Sequence, residues 1–203
     1  MPHADSAVIP SGIDKAAFWV HVHEQLSHLL AGQRDWVTNL ANASSLIFNA
    51  LQAFPDFGTG DGMVNWCGFY LHSDLFPAPR LSPQTQKPAN QSARLLLGPF
   101  CGKPACQFIN VSPEKARGVC ADAYLQRLTV LVTDVNEYPG HIACDGETKS
   151  EIVCPLLLSL PGEESERALG VLDLDCLALA GFDERDKTGL ERIAKLVVEA
   201  CDW

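Results

Sequence analysis

The chain has 203 residues, 47% of them apolar and 20% charged, which is enough to enclose one hydrophobic core and is the balance of a soluble globular domain. Its formal charge of -10 argues against a nucleic-acid backbone or an anionic membrane surface as partner, because both require basic patches. The eight cysteines are too few for a disulfide scaffold of this length and several stand in apolar strands, so a reduced, cytoplasmic protein is expected.

The first ten residues have neither a basic nor an apolar leader segment, and no apolar run approaches about 18 residues, so neither a secretory signal nor a membrane span is expected. Ser11 and Asp14 precede Phe18, Val22, Leu26 and Leu29, a spacing that predicts an amphipathic helix over 14–31. Trp36, Leu40, Ala43, Ile47 and Leu51 keep the same period until Pro55 ends a second helix. Residues 64–71 read as the first strand, with Trp66, Gly68 and Tyr70 on one face. Two aromatics about 13 Å apart with a bare backbone between them predict an open slot of small-molecule width.

Residues 73–93 hold four prolines and no apolar period, which predicts a mobile insertion between strands. Strands at 94–100 and 105–111 form a hairpin across Cys101 to Pro104, with Cys106 in the second strand. A short helix at 119–127 carries Cys120 near its start, and a strand follows at 129–132. Residues 133–150 contain Pro139, Gly140 and Gly146 and no period, so they read as a long loop of the kind usually reserved for function. Cys144 on that loop can reach solvent and substrate, unlike a thiol packed in a strand.

Strands at 151–160 and 168–175 form a second hairpin, and in the latter Leu169, Val171, Asp173 and Asp175 share a face. A helix at 182–201, capped by Asp183, ends the chain. Helices, antiparallel strands and a terminal helix together predict an α+β fold in one domain, a central antiparallel sheet packed with N- and C-terminal helices. A zinc site needs close cysteine pairs, and Cys101 to Cys106 has no second pair or nearby histidine, so no metal site is expected.

Seven motifs stand in order: Asn65-Trp-Cys-Gly-Phe-Tyr70, Leu97-Gly-Pro-Phe100, Gly102-Lys-Pro-Ala-Cys106, Arg117-Gly-Val-Cys120, Pro139-Gly-His-Ile-Ala-Cys144, Ser150-Glu-Ile-Val153 and Gly170-Val-Leu-Asp-Leu-Asp175. Over residues 35–200 the chain resembles the free methionine-(R)-sulfoxide reductases, single-domain enzymes of the GAF fold. That resemblance implies one GAF-like domain over 1–203, with an N-terminal helical extension at 1–34 and the 73–93 insertion. It also implies Cys144 as nucleophile, Cys106 as resolving thiol, Cys120 as an alternative disulfide partner, Trp66 and Tyr70 as substrate-binding aromatics, and Glu151, Asp173 and Asp175 as the acidic cluster. Cys67, Cys101, Cys154, Cys176 and Cys201 receive no role from it.

Sulfoxide reduction needs a thiolate and an acid on one S–O bond. Three carboxylates in one pocket cannot all stay ionised cheaply, so one can hold a proton. Asp145 and Glu147 beside Cys144 would not help form its thiolate. Glu151 and Asp175 are assigned to the sulfoxide oxygen, Asp173 to the substrate ammonium and loop N–H groups to its carboxylate. The expected partners are free methionine-(R)-sulfoxide and a thioredoxin-type dithiol protein; no flavin, nicotinamide or metal is required, and a homodimer is compatible. A GAF-type small-molecule or redox sensor is the competing class, although no output domain accompanies these residues.

Overall fold

A computed structural model of the chain describes residues 8–58, 60–77, 93–142 and 144–203. The helix α1 (Lys15–Leu30) starts at Asp14, whose carboxylate accepts the Ala17 N–H at 2.8 Å, and α2 (Trp36–Ala53) starts at Asp35, which accepts from Thr38. These caps satisfy backbone donors that have no partner within the helix. Then follow β1 (Val64–His72), β2 (Arg94–Gly102), β3 (Phe108–Asn110), α3 (Val119–Gln126), β4 (Val130–Val132), β5 (Ser150–Leu158), β6 (Arg167–Cys176) and α4 (Glu184–Glu199). The strands form a six-stranded sheet in the order β3-β2-β1-β6-β5-β4, with every neighbouring pair antiparallel. The expected α+β class, with helices from both ends of the chain on an antiparallel sheet, is met. Most of the expected 73–93 insertion, residues 78–92, lies outside the described residues.

One face of the sheet carries α2 and α4, with α1 packed against both helices, over Cys67, Phe69, Leu71, Ile152, Cys154, Leu172 and Leu174. Alternation along the same strands sends Trp66, Tyr70, Val153 and Val171 to the opposite face, beneath α3. Burying the apolar face beneath this helical layer leaves the second face free to hold polar groups, and the site lies there. The helical layer is pinned by Asp186, fully buried, which accepts from Trp19 Nε1 at 2.8 Å and Lys15 Nζ at 2.7 Å. Asp183 and Asp186 form the capping box of α4, as the expected cap at Asp183 requires.

Three local expectations fail for identifiable reasons. The strand expected at 105–111 shrinks to Phe108–Asn110, three residues paired with Arg94 to Leu96, so Cys106 sits in the connecting loop. Leu169 packs with the helical core rather than beside Val171. The β5–β6 register runs from Leu156↔Gly170 to Leu157↔Ala168, and this bulge leaves Leu169 unpaired and turns its side chain over. The open slot over Gly68 is absent: a side chain there would overlap Phe100 and the Trp66 ring. Trp66 folds across the bare backbone to stack on Tyr70, ring centroids 5.8 Å apart, and on Phe100, 5.5 Å apart.

Candidate active site

The sheet brings the acidic side chains together by register. Asp175 lies between Trp66 on β1 and Glu151 on β5, while Asp173, one pleat along, lies between Gly68 and Val153. Glu151 and Asp175 are thus directly opposed like charges, an arrangement that destabilises a strand pair when both are ionised. Glu151 is 6% exposed and Asp175 half-buried, so water screens only part of that repulsion. Burial pushes the carboxyl of Glu151 up to about 7, with the Asp175 charge adding to the rise and the hydrogen bond from His141 opposing it. Burial likewise raises Asp173 and Asp175 well above the usual carboxylate range, reinforced by Glu151 for the former and by Asp173 for the latter. At neutral pH the cluster therefore retains protons.

Above this floor, α3 places Cys120 so that its thiol lies 3.3 Å from Asp173 Oδ2 and 3.8 Å from Glu151 Oε1. Burial, then the charges of Asp173 and Glu151, push that thiol well above its ordinary value, so it stays protonated. Cys144 is exposed on the long loop and is joined in a disulfide to Cys106, with Cα atoms 5.8 Å apart. That spacing is within the ordinary range for a disulfide. The hydroxyl of Tyr70 donates to the Cys106 carbonyl at 3.0 Å, fixing the backbone that carries this thiol. Trp66, Tyr70, Cys106, Cys120, Cys144, Glu151, Asp173 and Asp175, every residue that the sequence singles out, line one pocket.

Other groups at the site were quoted in the sequence motifs without a role. His141 Nε2 is 3.2 Å from Glu151 Oε2, which ties the loop of Cys144 to β5. Asn65 donates to Asp145 Oδ2 at 3.2 Å and to Thr148 Oγ1 at 3.1 Å, holding the same loop from β1. Lys103 pairs with Asp145 at 3.1 Å and also with Glu147, so the two acids beside Cys144 are compensated rather than left facing the sulfur. The motif Pro139-Gly-His-Ile-Ala-Cys144 held the signal for His141, since a histidine three residues before the loop thiol is within reach of the same pocket. Two buried polar atoms of pocket residues, Trp66 Nε1 and Asp173 Oδ1, have no hydrogen-bond partner among the described residues. A bound molecule carrying one acceptor and one donor would satisfy both.

No family model matches the chain. It is 41% identical to a free methionine-R-sulfoxide reductase of Saccharomyces cerevisiae over 199 residues, covering 98% of this chain and 94% of that protein. Among solved structures, that of a GAF domain superposes with a TM-score of 0.78 at 39% identity, covering 100% of this chain and 98% of the other. The free methionine-R-sulfoxide reductase from Neisseria meningitidis in complex with its substrate superposes with a TM-score of 0.72 at 34% identity, covering 98% and 95%. These similarities run through all the elements that build the pocket.

Proposed function

The chain belongs to the free methionine-(R)-sulfoxide reductases, a family of oxidoreductases, and from that premise we propose that it reduces free L-methionine-(R)-sulfoxide to L-methionine through a cysteine disulfide cycle. The observation that carries this reading is the Cys106–Cys144 disulfide at a pocket floored by three carboxylates that burial keeps partly protonated. A sulfoxide oxygen leaves only when protonated, and a buried carboxylic acid with its pKa near neutrality is the group suited to that task.

In this reading the thiolate of Cys144 attacks the sulfoxide sulfur while Glu151, opposed to Asp175, delivers a proton to the oxygen. An S–S bond forms as the S–O bond breaks, and the oxygen leaves as water after a second proton from the acidic cluster. Water then attacks the Cys144 sulfur and that S–S bond breaks, so methionine departs and Cys144 is left as a sulfenic acid. The thiol of Cys106 then attacks that sulfur, water departs and the disulfide forms. A thioredoxin-type dithiol protein returns both thiols in a reduced, cytoplasmic setting. Asp173, whose Oδ1 has no partner among the described residues, binds the substrate ammonium, and the stacked rings of Trp66 and Tyr70 provide the apolar wall for the thioether. Loop N–H groups around Cys144 receive the substrate carboxylate. Among the described residues no helix is long and apolar enough to cross a membrane.

The test is turnover with resolved R and S epimers of free methionine sulfoxide and a thioredoxin system. Methionine formation from the R epimer, lost in Cys144→Ser even in single turnover because a hydroxyl is too weak an acid to replace the thiolate, is the expected result. Methionine formed by that variant at the wild-type rate would overturn the assignment.

A further inference from the structure

The cluster of Cys120, Glu151 and Asp173 is more than an acid store. One donor atom from each lies within 4.8 Å of the other two, and all three residues are buried. The sequence shows no metal site because it offers no close cysteine pair, but the fold assembles these donors from α3, β5 and β6. Each stands on a regular element rather than a loop, so the set is held before any ligand arrives. The separate sign of a missing ligand is Asp173 Oδ1, an acceptor on a 6% exposed residue that, with the carboxylates ionised, meets no N–H, O–H or S–H donor among the described residues. A buried acceptor left in that state costs free energy that a cation would recover.

We propose that Cys120, Glu151 and Asp173 bind a thiolate-accepting divalent cation of the zinc class, which excludes the substrate from the pocket. The donor set is one sulfur and two carboxylate oxygens, and zinc accepts three such ligands with a fourth position left to water. The thiol discriminates against magnesium and calcium, which need six or more oxygen ligands. His141, 3.2 Å from Glu151 Oε2, is placed to hold the ligating carboxylate from outside, as ligating carboxylates usually require. Binding displaces the thiol proton of Cys120 and any proton retained by the carboxylates, so the three negative ligands and the dication leave a site of net charge near -1. Cys106 and Cys144 are bonded to one another and take no part, so the cation site exists in the oxidised chain. The exclusion of substrate rests on the proposed function, because the same carboxylates are assigned there to the ammonium and the sulfoxide oxygen.

The test uses the full chain in its Cys106–Cys144 disulfide form without added thiol. Cd2+, a spectroscopic stand-in for Zn2+, should produce a thiolate-to-cadmium absorption that saturates at one ion per chain and is indifferent to excess Mg2+. Cys120→Ser should remove the band and weaken Zn2+ binding in equilibrium dialysis by more than about tenfold, while Cys101→Ser keeps both. No band in the wild type, or an undiminished band in Cys120→Ser, would overturn the site. Should Cys120→Ser fail to fold, peptide-mapped alkylation of the wild type decides: Zn2+ should slow modification of Cys120, and an unchanged rate refutes the proposal. Competition is read separately, as a rise in KM for the sulfoxide with kcat unchanged when Zn2+ is added. A band without any reductase activity would leave the cation site standing and remove the proposed reaction, whereas Zn2+ that binds without raising KM refutes the exclusion.

Discussion

The Cys120 thiol donates a hydrogen bond to Asp173 Oδ2 across 3.3 Å. It faces the acids, and burial with two neighbouring carboxylates holds it protonated. A resolving thiol must be a nucleophile, and the thiolate is the nucleophilic form. The sulfur bonded to Cys144 is that of Cys106. In the proposed cycle these placements favour Cys106 over Cys120 as the resolving thiol.

Cys106→Ser should therefore release about one methionine per site and then stall, because Cys144 and the acid complete the reductive half without it. Cys120→Ser should retain most of the steady-state rate under metal-free conditions. Rapid-quench measurement of methionine in the first turnover, set against steady-state turnover, checks both. Loss of the first turnover in Cys106→Ser would show that its thiol does more than recycle.

Trp66→Ala should weaken substrate use and also destabilise the chain. The sequence put Trp66 at the wall of an open slot, but its ring lies between Phe100 and Tyr70 and is 4% exposed. Removing a buried tryptophan typically costs about 3–5 kcal/mol, so denaturant unfolding should move together with KM. A raised KM at unchanged stability would mean that the ring contributes nothing to packing.

Much of the site was legible because strand periodicity is legible. Asp173 and Asp175 at i and i+2 had to share a face, and a hairpin pairing β5 with β6 brings Glu151 against them. The loop of Cys144 was marked by its lack of period and its turn residues. What sequence could not supply was rotation and crossing. The Trp66 side chain turns over Gly68 through a rotamer choice that leaves no trace in the order of residues. Cys120 meets Asp173 only because α3 crosses the second face of the sheet, and His141 meets Glu151 only when the loop closes. The bulge at Leu169 likewise breaks an alternation that the residues themselves continue.

Gly189→Ala tests the close contact between α1 and α4. In an exposed helix interior that exchange gains about 1 kcal/mol from helix propensity. Here the added methyl would overlap Cγ and Cβ of the buried Trp19, whose indole is also held by Asp186 and cannot withdraw freely. Overpacking of this kind costs about 1–3 kcal/mol, so the variant should unfold at lower denaturant. A stabilised variant would show that the two helices separate easily.

Glu151→Gln should change both the rate and its dependence on pH. The amide keeps the shape and can hydrogen-bond to His141, but it cannot transfer a proton. Burial raises the folded carboxyl from 4.5 to about 7, so the wild-type acid is loaded below that pH and empties above it. The ratio of wild-type to variant single-turnover rates should fall as pH rises through about 7, where the wild-type acid empties. Stability follows the same sign. The folded chain holds the proton where the unfolded chain has lost it, so this stabilisation is fully present below pH 4.5 and is lost as pH rises to about 7. Glu151→Gln should flatten that decline without abolishing it, since Asp173 and Asp175 are raised in the same direction. Chemical denaturation across this pH range reads the slope directly, and an identical slope with a constant rate ratio would place the proton donor on another residue.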